Sequence, residues 1–203
     1  MRNFPPERII CLTEETVETL YLLGEQNRIV GVTGYAVRPP VVRKEKERVA
    51  AFTSAKIDKI LSLKPDLVLA FSDLQAEIAA ELIKNGVAVM TYNQRDIAGI
   101  LAMIRHLGAT VGAGIKAEEL ASSYEKRLAY LRAVSNTNVR PRVYFEEWDS
   151  PMITGIKWVS ELVEIAGGTD IFSALSTNEA ATDRIVTSEE VIQESPDIII
   201  ASW

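Results

Sequence analysis

Five aromatic side chains stand where a bulky ligand could be held. Tyr35, Phe52, Phe71, Tyr92 and Trp148 each come just after an apolar, β-branched run or lie in the loop it enters. In a parallel α/β sheet, ligands gather beyond the carboxyl ends of the strands, and rings placed there offer large apolar faces at little entropic cost. The chemistry this suggests is binding of a large, partly apolar molecule. Any single ring is more often a core residue, so it is the recurrence of five that points to a site. Glu146, Glu147 and Asp149 flank Trp148. Those acids either line the same mouth, ligate a cation, or form an ordinary solvated loop.

Catalytic chemistry is poorly supplied. His106 is the single histidine, beside Arg105 and Leu107 late in a helical stretch, where the helix dipole favours it for structural reasons. A Ser-His-Asp hydrolase or a multi-histidine zinc site is hard to assemble from this chain. Cys11, the single cysteine, lies in the apolar run Arg8-Ile-Ile-Cys-Leu12 and reads as a small buried hydrophobe, with no disulfide possible within one chain. The glycines of Gly108-Ala-Thr-Val-Gly-Ala-Gly114 follow a helix rather than a strand and lack the Gly-Lys-Ser/Thr ending of a phosphate loop. They read as a helix stop and turn.

The elements that must position these residues alternate. Short β-branched runs are interleaved with amphipathic segments, the pattern of crossover units in a mainly parallel sheet. Ile9-Ile-Cys-Leu12 is a buried strand, Thr13 caps a helix ending at Gly24, and Ile29 to Thr33 is the next strand. A two-turn helix over Ile57 to Lys64 is stopped by Pro65, and the strand from Asp66 to Ala70 follows. A helix over Leu74 to Asn85 leads to strand Val87 to Met90, and Asp96 caps a helix over Ile97 to Leu107 that stops at Gly108. From Ala117 to Val134 apolar residues keep helical spacing without Gly or Pro. At about 1.5 Å per residue, that helix spans roughly 27 Å; its pattern fits a covering helix as well as a connector, and its place after a complete α/β unit and before a fresh strand argues for the connector.

The second half repeats the first. Ile57-Asp-Lys-Ile-Leu-Ser-Leu-Lys-Pro-Asp-Leu-Val-Leu-Ala70 lies without a gap over Ser188-Glu-Glu-Val-Ile-Gln-Glu-Ser-Pro-Asp-Ile-Ile-Ile-Ala201. Each copy carries one acid, Asp58 or Glu189, seven residues before its proline. Helix, Pro-Asp, strand is a common α/β connection, but here the helix faces and the acid agree as well as the turn. A second echo pairs the glycine stop at Gly24 with that at Gly167. The expected fold is α/β, two Rossmann-like lobes with mainly parallel sheets: residues 1–112, a connecting helix over 113–138, and the start of a second lobe over 139–203. A ligand is expected between them.

Composition agrees with a folded globular protein. Of 203 residues 47% are hydrophobic and 25% charged, and the net charge is −6 with Lys and Arg scattered, so no basic stripe exists for nucleic acid. No run approaches the eighteen or so apolar residues of a membrane span, so direct membrane insertion is not expected. Met1 to Glu7 lacks the apolar core of a signal peptide, although a mature form can begin with an added Met.

With these features in hand, the chain resembles the helical-backbone class of substrate-binding proteins of ABC importers, the vitamin B12 and iron-siderophore group. The resemblance runs along essentially the whole chain. It is carried by Arg8 to Glu18, Gly31-Val-Thr-Gly-Tyr35 with Pro39-Pro40, the Ile57 to Ala70 unit, Thr154-Gly155, Ala166-Gly-Gly-Thr-Asp-Ile-Phe172 and the Val186 to Ala201 unit. It implies a non-catalytic protein without a cofactor, extracytoplasmic, that delivers a ligand to a permease. It assigns Asp58 and Glu189 to the two acids presented to permease arginines. Tyr35, Phe52 and Phe71 fall at first-lobe cleft positions, with Trp148 as their second-lobe counterpart. By this resemblance the second lobe is truncated, since family members continue beyond the position of Trp203.

A cobalamin-type corrinoid is the expected cargo. A ferric siderophore would need several cations facing the anionic chelate, with Arg38, Arg43, Lys157 and Arg184 as the residues to locate. Haem would ask for an axial ligand, for which Tyr35 or Tyr92 would serve. A two-lobed chelatase-like enzyme would want His or Cys ligands or a general base, which this chain hardly provides.

Overall fold

The computed structural model describes residues 4–135 and 139–203. Residues 136–138, in the stretch expected to lead out of the connecting helix, lie outside them, as does the start of the Met1 to Glu7 segment. The chain divides into two compact units, Met1–Asn93 with Leu101–Ala121, and Gln94–Ile100 with Ser122–Trp203.

The first unit is built on five parallel strands: β1 (Ile9–Cys11), β2 (Ile29–Thr33), β3 (Arg48–Ala50), β4 (Leu67–Phe71) and β5 (Val89–Tyr92), in the order β3-β2-β1-β4-β5. The order reverses direction between β1 and β4, which makes their carboxyl ends the switch point of a doubly wound sheet. Helices α1 (Glu14–Leu22), α2 (Val42–Glu45), α3 (Ile57–Ser62) and α4 (Ala76–Lys84) connect these strands. A core of Ile10, Leu12, Val49, Ile60, Val68, Ala70 and Leu82 excludes water completely. Strand β4 is buried over Leu67 to Ala70, as an all-apolar central parallel strand must be. Neither α2 nor β3 was visible as a pattern, since a four-residue helix and a three-residue strand are too short to show a period.

The second unit holds β6 (Arg142–Asp149), β7 (Met152–Thr154), β8 (Thr169–Asp170) and β9 (Ile198–Ala201), with α7 (Lys157–Ile165) and α8 (Ser188–Glu194). Strand β6 pairs parallel with β8 and β9 and antiparallel with β7. Tyr144, Val186 and Val191 are its buried apolar centre. Strand β9 is exposed at Ile198, Ile199 and Ile200.

Helices α5 (Ile97–Thr110) and α6 (Gly114–Val134) pass through both units. The expected stop at Gly108 is not one. The helix continues two residues further, and a Cβ at Gly108 would lie 2.1 Å from the Cβ of Ala117, so this glycine permits close approach of α6. The break falls at Gly112, with φ of 78°. Thr13 occupies the N-cap position of α1, but its hydroxyl donates to Glu15 Oε1 at 2.7 Å instead of accepting a backbone amide.

The repeated sequence unit is a repeated structure. Lys64 and Ser195 both turn into the left-handed region, φ 47° and 46°, directly before their prolines. Behind each turn sits the same reciprocal clamp. Asp66 N–H donates to Arg8 O at 2.8 Å, Arg8 N–H donates to Asp66 Oδ2 at 3.2 Å, and the Arg8 guanidinium donates to the carbonyls of Leu63 and Lys64 at the end of α3. In the second unit Asp197 N–H donates to Arg142 O at 2.8 Å, Arg142 N–H to Asp197 Oδ2 at 2.7 Å, and the Arg142 guanidinium to Glu194 O. A planar cation suits the unsatisfied carbonyls at a helix C-terminus. Sequence alignment of the two copies misses these arginines because they lie far outside the repeated segment.

Replacing Arg142 by Met should lower stability by about 1–2 kcal/mol, the worth of partly solvated charge-assisted hydrogen bonds, and Arg8→Met should do the same. Arg142→Lys should recover little, because an ammonium lacks the rigid fork by which two guanidinium N–H groups reach Glu194 O together. Urea midpoints at constant slope would check both.

Candidate functional site

Four of the five predicted rings come together on one edge. In the first unit all strands are parallel, so their carboxyl ends lie on the same side. Tyr35 lies two residues beyond β2, Phe52 two beyond β3, and Phe71 and Tyr92 end β4 and β5. They differ in what they offer. Tyr35 is 56% exposed and Phe52 and Phe71 are partly buried, which leaves ring surface to give to a ligand. Tyr92 is buried. Its ring meets the edge of His106 with centroids 5.8 Å apart, and burial raises its phenol above the usual range. At 8% exposed it offers little ring surface, and it is the last residue of β5 rather than part of the loop after it.

Trp148 occupies the corresponding place in its own unit, near the carboxyl end of β6, 53% exposed, with its indole N–H donating to Ser150 O at 3.1 Å. Strand β6 runs four residues past the Val143 to Phe145 strand read from sequence, because β7 folds back on it as a hairpin.

Two of the three acids around Trp148 are committed. Glu146 accepts from the Tyr144 hydroxyl at 3.0 Å and from the Trp203 indole at 2.8 Å. Glu147 accepts from Arg184 Nη1 at 2.6 Å. Among the described residues no group of three His, Cys, Asp or Glu side chains is placed to hold a metal ion.

The cations that an anionic chelate would require are likewise engaged. Arg184, 2% exposed, spends Nη1 on Glu147 and on the carbonyl of Thr154 at 2.8 Å. Arg38 pairs with Glu18 at 3.2 Å, and Lys157 with Asp96 at 2.8 Å. Arg43 remains exposed on α2. Asp96 also accepts the Gly99 amide at 2.8 Å as the expected cap of α5, and Glu161 of α7 accepts the Ile97 amide at 2.8 Å. These contacts put the first turn of α5 in the second unit, which the sequence, reading α5 as one first-lobe helix, does not show.

One residue of this region escaped the sequence. Gln75, 1% exposed in the short 3-10 turn Asp73–Gln75, bonds three strand-end segments at once. Its Oε1 accepts from Phe71 N–H at 2.9 Å, and its Nε2 donates to Phe52 O at 2.8 Å and to Leu12 O at 3.3 Å. The only trace in the sequence is an amide side chain in a strand-to-helix turn.

The acid pair keeps its register. Asp58 and Glu189 are each the second residue of their helices, α3 and α8, and both are exposed. Cys11 is fully buried, and that burial pushes its thiol up to about 12, which leaves it inert.

Residues 9–203 match the model of a periplasmic binding protein family, and the chain belongs to that family. A vitamin B12-binding protein of Vibrio cholerae is 32% identical over 207 residues, covering 99% of this chain and 72% of the relative. The crystal structure of the periplasmic vitamin B12 binding protein BtuF of Vibrio cholerae superposes with a TM-score of 0.81 at 29% identity, covering 98% of this chain and 78% of the other. A periplasmic heme-binding protein from Roseiflexus sp. gives a TM-score of 0.83 at 24% identity over 96% of this chain and 76% of the other, a likeness of fold. The chain is accordingly a binding protein rather than an enzyme, and its family implies an extracytoplasmic location, a small-molecule ligand and an ABC transporter. Among the described residues no helix is long and apolar enough to cross a membrane.

The Lys157 ammonium, and then the Gly99 amide, hold the Asp96 carboxyl below its usual range. A depressed folded-state value adds stability above the ordinary carboxylate pKa of about 3.9, and that stability is lost as pH falls through the folded value. In Lys157→Met the Asp96 midpoint should rise toward the ordinary range. A carbon-detected NMR titration reads it directly, and an unmoved midpoint would remove Lys157 as the cause.

Proposed function

We propose that the chain captures a cobalamin-type corrinoid and delivers it to an ABC permease. The observation that carries the reading is a contrast between rings and charges. Tyr35, Phe52 and Phe71 share the carboxyl-end edge of the first sheet, and Trp148 holds the same place in the second unit. Three of the four cations that would meet an anionic chelate are neutralised by carboxylates. A corrinoid presents broad apolar faces and neutral amide side chains, so it matches aromatic surface with little free charge. A catecholate-bound ferric ion is anionic and would leave its charge uncompensated here. The vitamin B12-binding relatives favour the same cargo.

Delivery is assigned to Asp58 and Glu189. One exposed carboxylate in the first turn of equivalent helices, once per unit, offers a permease two points for arginine forks, which set orientation and register more than affinity. Asp58 is one methylene shorter than Glu189 and reaches less far.

Protein incubated separately with cyanocobalamin, haem and a ferric catecholate siderophore, then desalted, should retain the corrinoid chromophore. Retention of haem alone would transfer the assignment to Tyr35 as axial ligand, and retention of none would end the importer reading. Phe71→Ala and Trp148→Ala should each weaken cobalamin about 10- to 100-fold, the equivalent of burying one large apolar side chain. Asp58→Lys combined with Glu189→Lys should leave cobalamin affinity unchanged while abolishing most uptake in permease-containing vesicles. Unimpaired uptake would separate these acids from docking.

A further inference from the structure

We propose that Gln75 is a positioning residue that sets Phe52 and Phe71 in place before any ligand arrives. The inference rests on the reading that these rings contact the cargo, and it explains how they are held. A buried primary amide costs about 1–3 kcal/mol when a polar group is left unmade, and here the amide is used on both ends. Its three partners are all backbone groups. They belong to the residue after β1, the loop after β3 and the last residue of β4, so one side chain fastens segments on both sides of the switch point. Two of the three belong to the predicted contact residues themselves.

A second, independent feature lies between the ring and the clamp. Ser72 has φ 52° and ψ −174°, a region populated almost solely by glycine. Its N–H donates to Tyr92 O at 2.7 Å, and its Oγ accepts from Leu74 N–H at 3.3 Å. Such strain persists only where the surroundings over-determine the backbone, and it concentrates at ligand sites. At this position it turns the chain sharply after Phe71, so that Gln75 comes back to the Phe71 amide four residues earlier. Ordering the ring-bearing loops is thereby completed in the folded, unliganded protein, and binding need not supply that entropy.

Two variants of the full chain test this. Gln75→Leu keeps the volume and removes all three hydrogen bonds, whereas Gln75→Glu keeps the acceptor for Phe71 N–H and loses both donors. Without ligand, amide exchange at Phe71 should accelerate about tenfold in Gln75→Leu, the equivalent of one net hydrogen bond, while exchange at Val68 in the same strand stays unchanged. Cyanocobalamin affinity should fall by a similar factor, chiefly through a slower association rate, because only the fraction of molecules with ordered loops is competent. Gln75→Glu should keep Phe71 protection yet lose affinity through the freed Phe52 loop. Faster Phe71 exchange with unchanged cobalamin affinity and association rate would overturn the positioning role, as would wild-type exchange in Gln75→Leu. Should Gln75→Leu not fold, unchanged cobalamin affinity in Gln75→Glu would overturn it instead. Failure of the wild-type chain to hold cobalamin would sink the cargo assignment, while the exchange measurements would still report on the clamp.

Discussion

Both units depend on the junction where a helix ends, a proline turns the chain and an aspartate enters a parallel strand. A parallel sheet needs every strand to start on the same side, and a helix leaves unsatisfied carbonyls at the end from which the chain must turn back. Arg8 and Arg142 meet both demands at once. Their backbone groups pair with Asp66 and Asp197, which fixes the register of β1 beside β4 and of β6 beside β9, and their side chains satisfy the carbonyls of α3 and α8. The left-handed residues before Pro65 and Pro196 are the local expense of that geometry, roughly 1–2 kcal/mol each, and the clamp holds them there. From this anchored end each helix runs back to its first turn, where Asp58 and Glu189 sit in the same register.

Much of this was legible because its cause is local. Alternation of apolar runs with amphipathic segments reports the α/β class, and the Pro-Asp turn reports its repeat. The features that were not legible are made by contacts distant in sequence. Gly108 reads as a stop by its type, yet its role is set by Ala117 across a helix crossing. Tyr92 reads as a loop aromatic because β5 begins two residues later than its apolar run suggests, and its partner His106 is in another helix. Arg8, Arg142 and Gln75 act on backbone groups, which carry no side-chain signature. Side-chain pattern therefore located the ring-bearing edge but not the amide beneath it.

The charged residues show the same separation between type and role. Of the four cations an anionic chelate would need, Arg38, Lys157 and Arg184 are each answered by a carboxylate of their own unit, and Arg43 stays exposed. The case of Arg184 is decisive, since a guanidinium 2% exposed is tolerable only when paired, and its partners Glu147 and Thr154 O tie β6 to β7 around the strand that bears Trp148. Charge here organises the scaffold.

The first turn of α5 has a consequence for how the chain is made. Residues 94–100 complete the second unit, but they precede 101–121, which complete the first. The groups that receive that turn, Lys157 and Glu161, follow Asp96 and Ile97 by 61 and 64 positions. On a ribosome, the first unit has all its segments once Ala121 has emerged, with a helical turn still waiting for an acceptor not yet synthesised. The two units are thus interleaved in the order of synthesis as well as in sequence: no single cut of the gene separates one from the other.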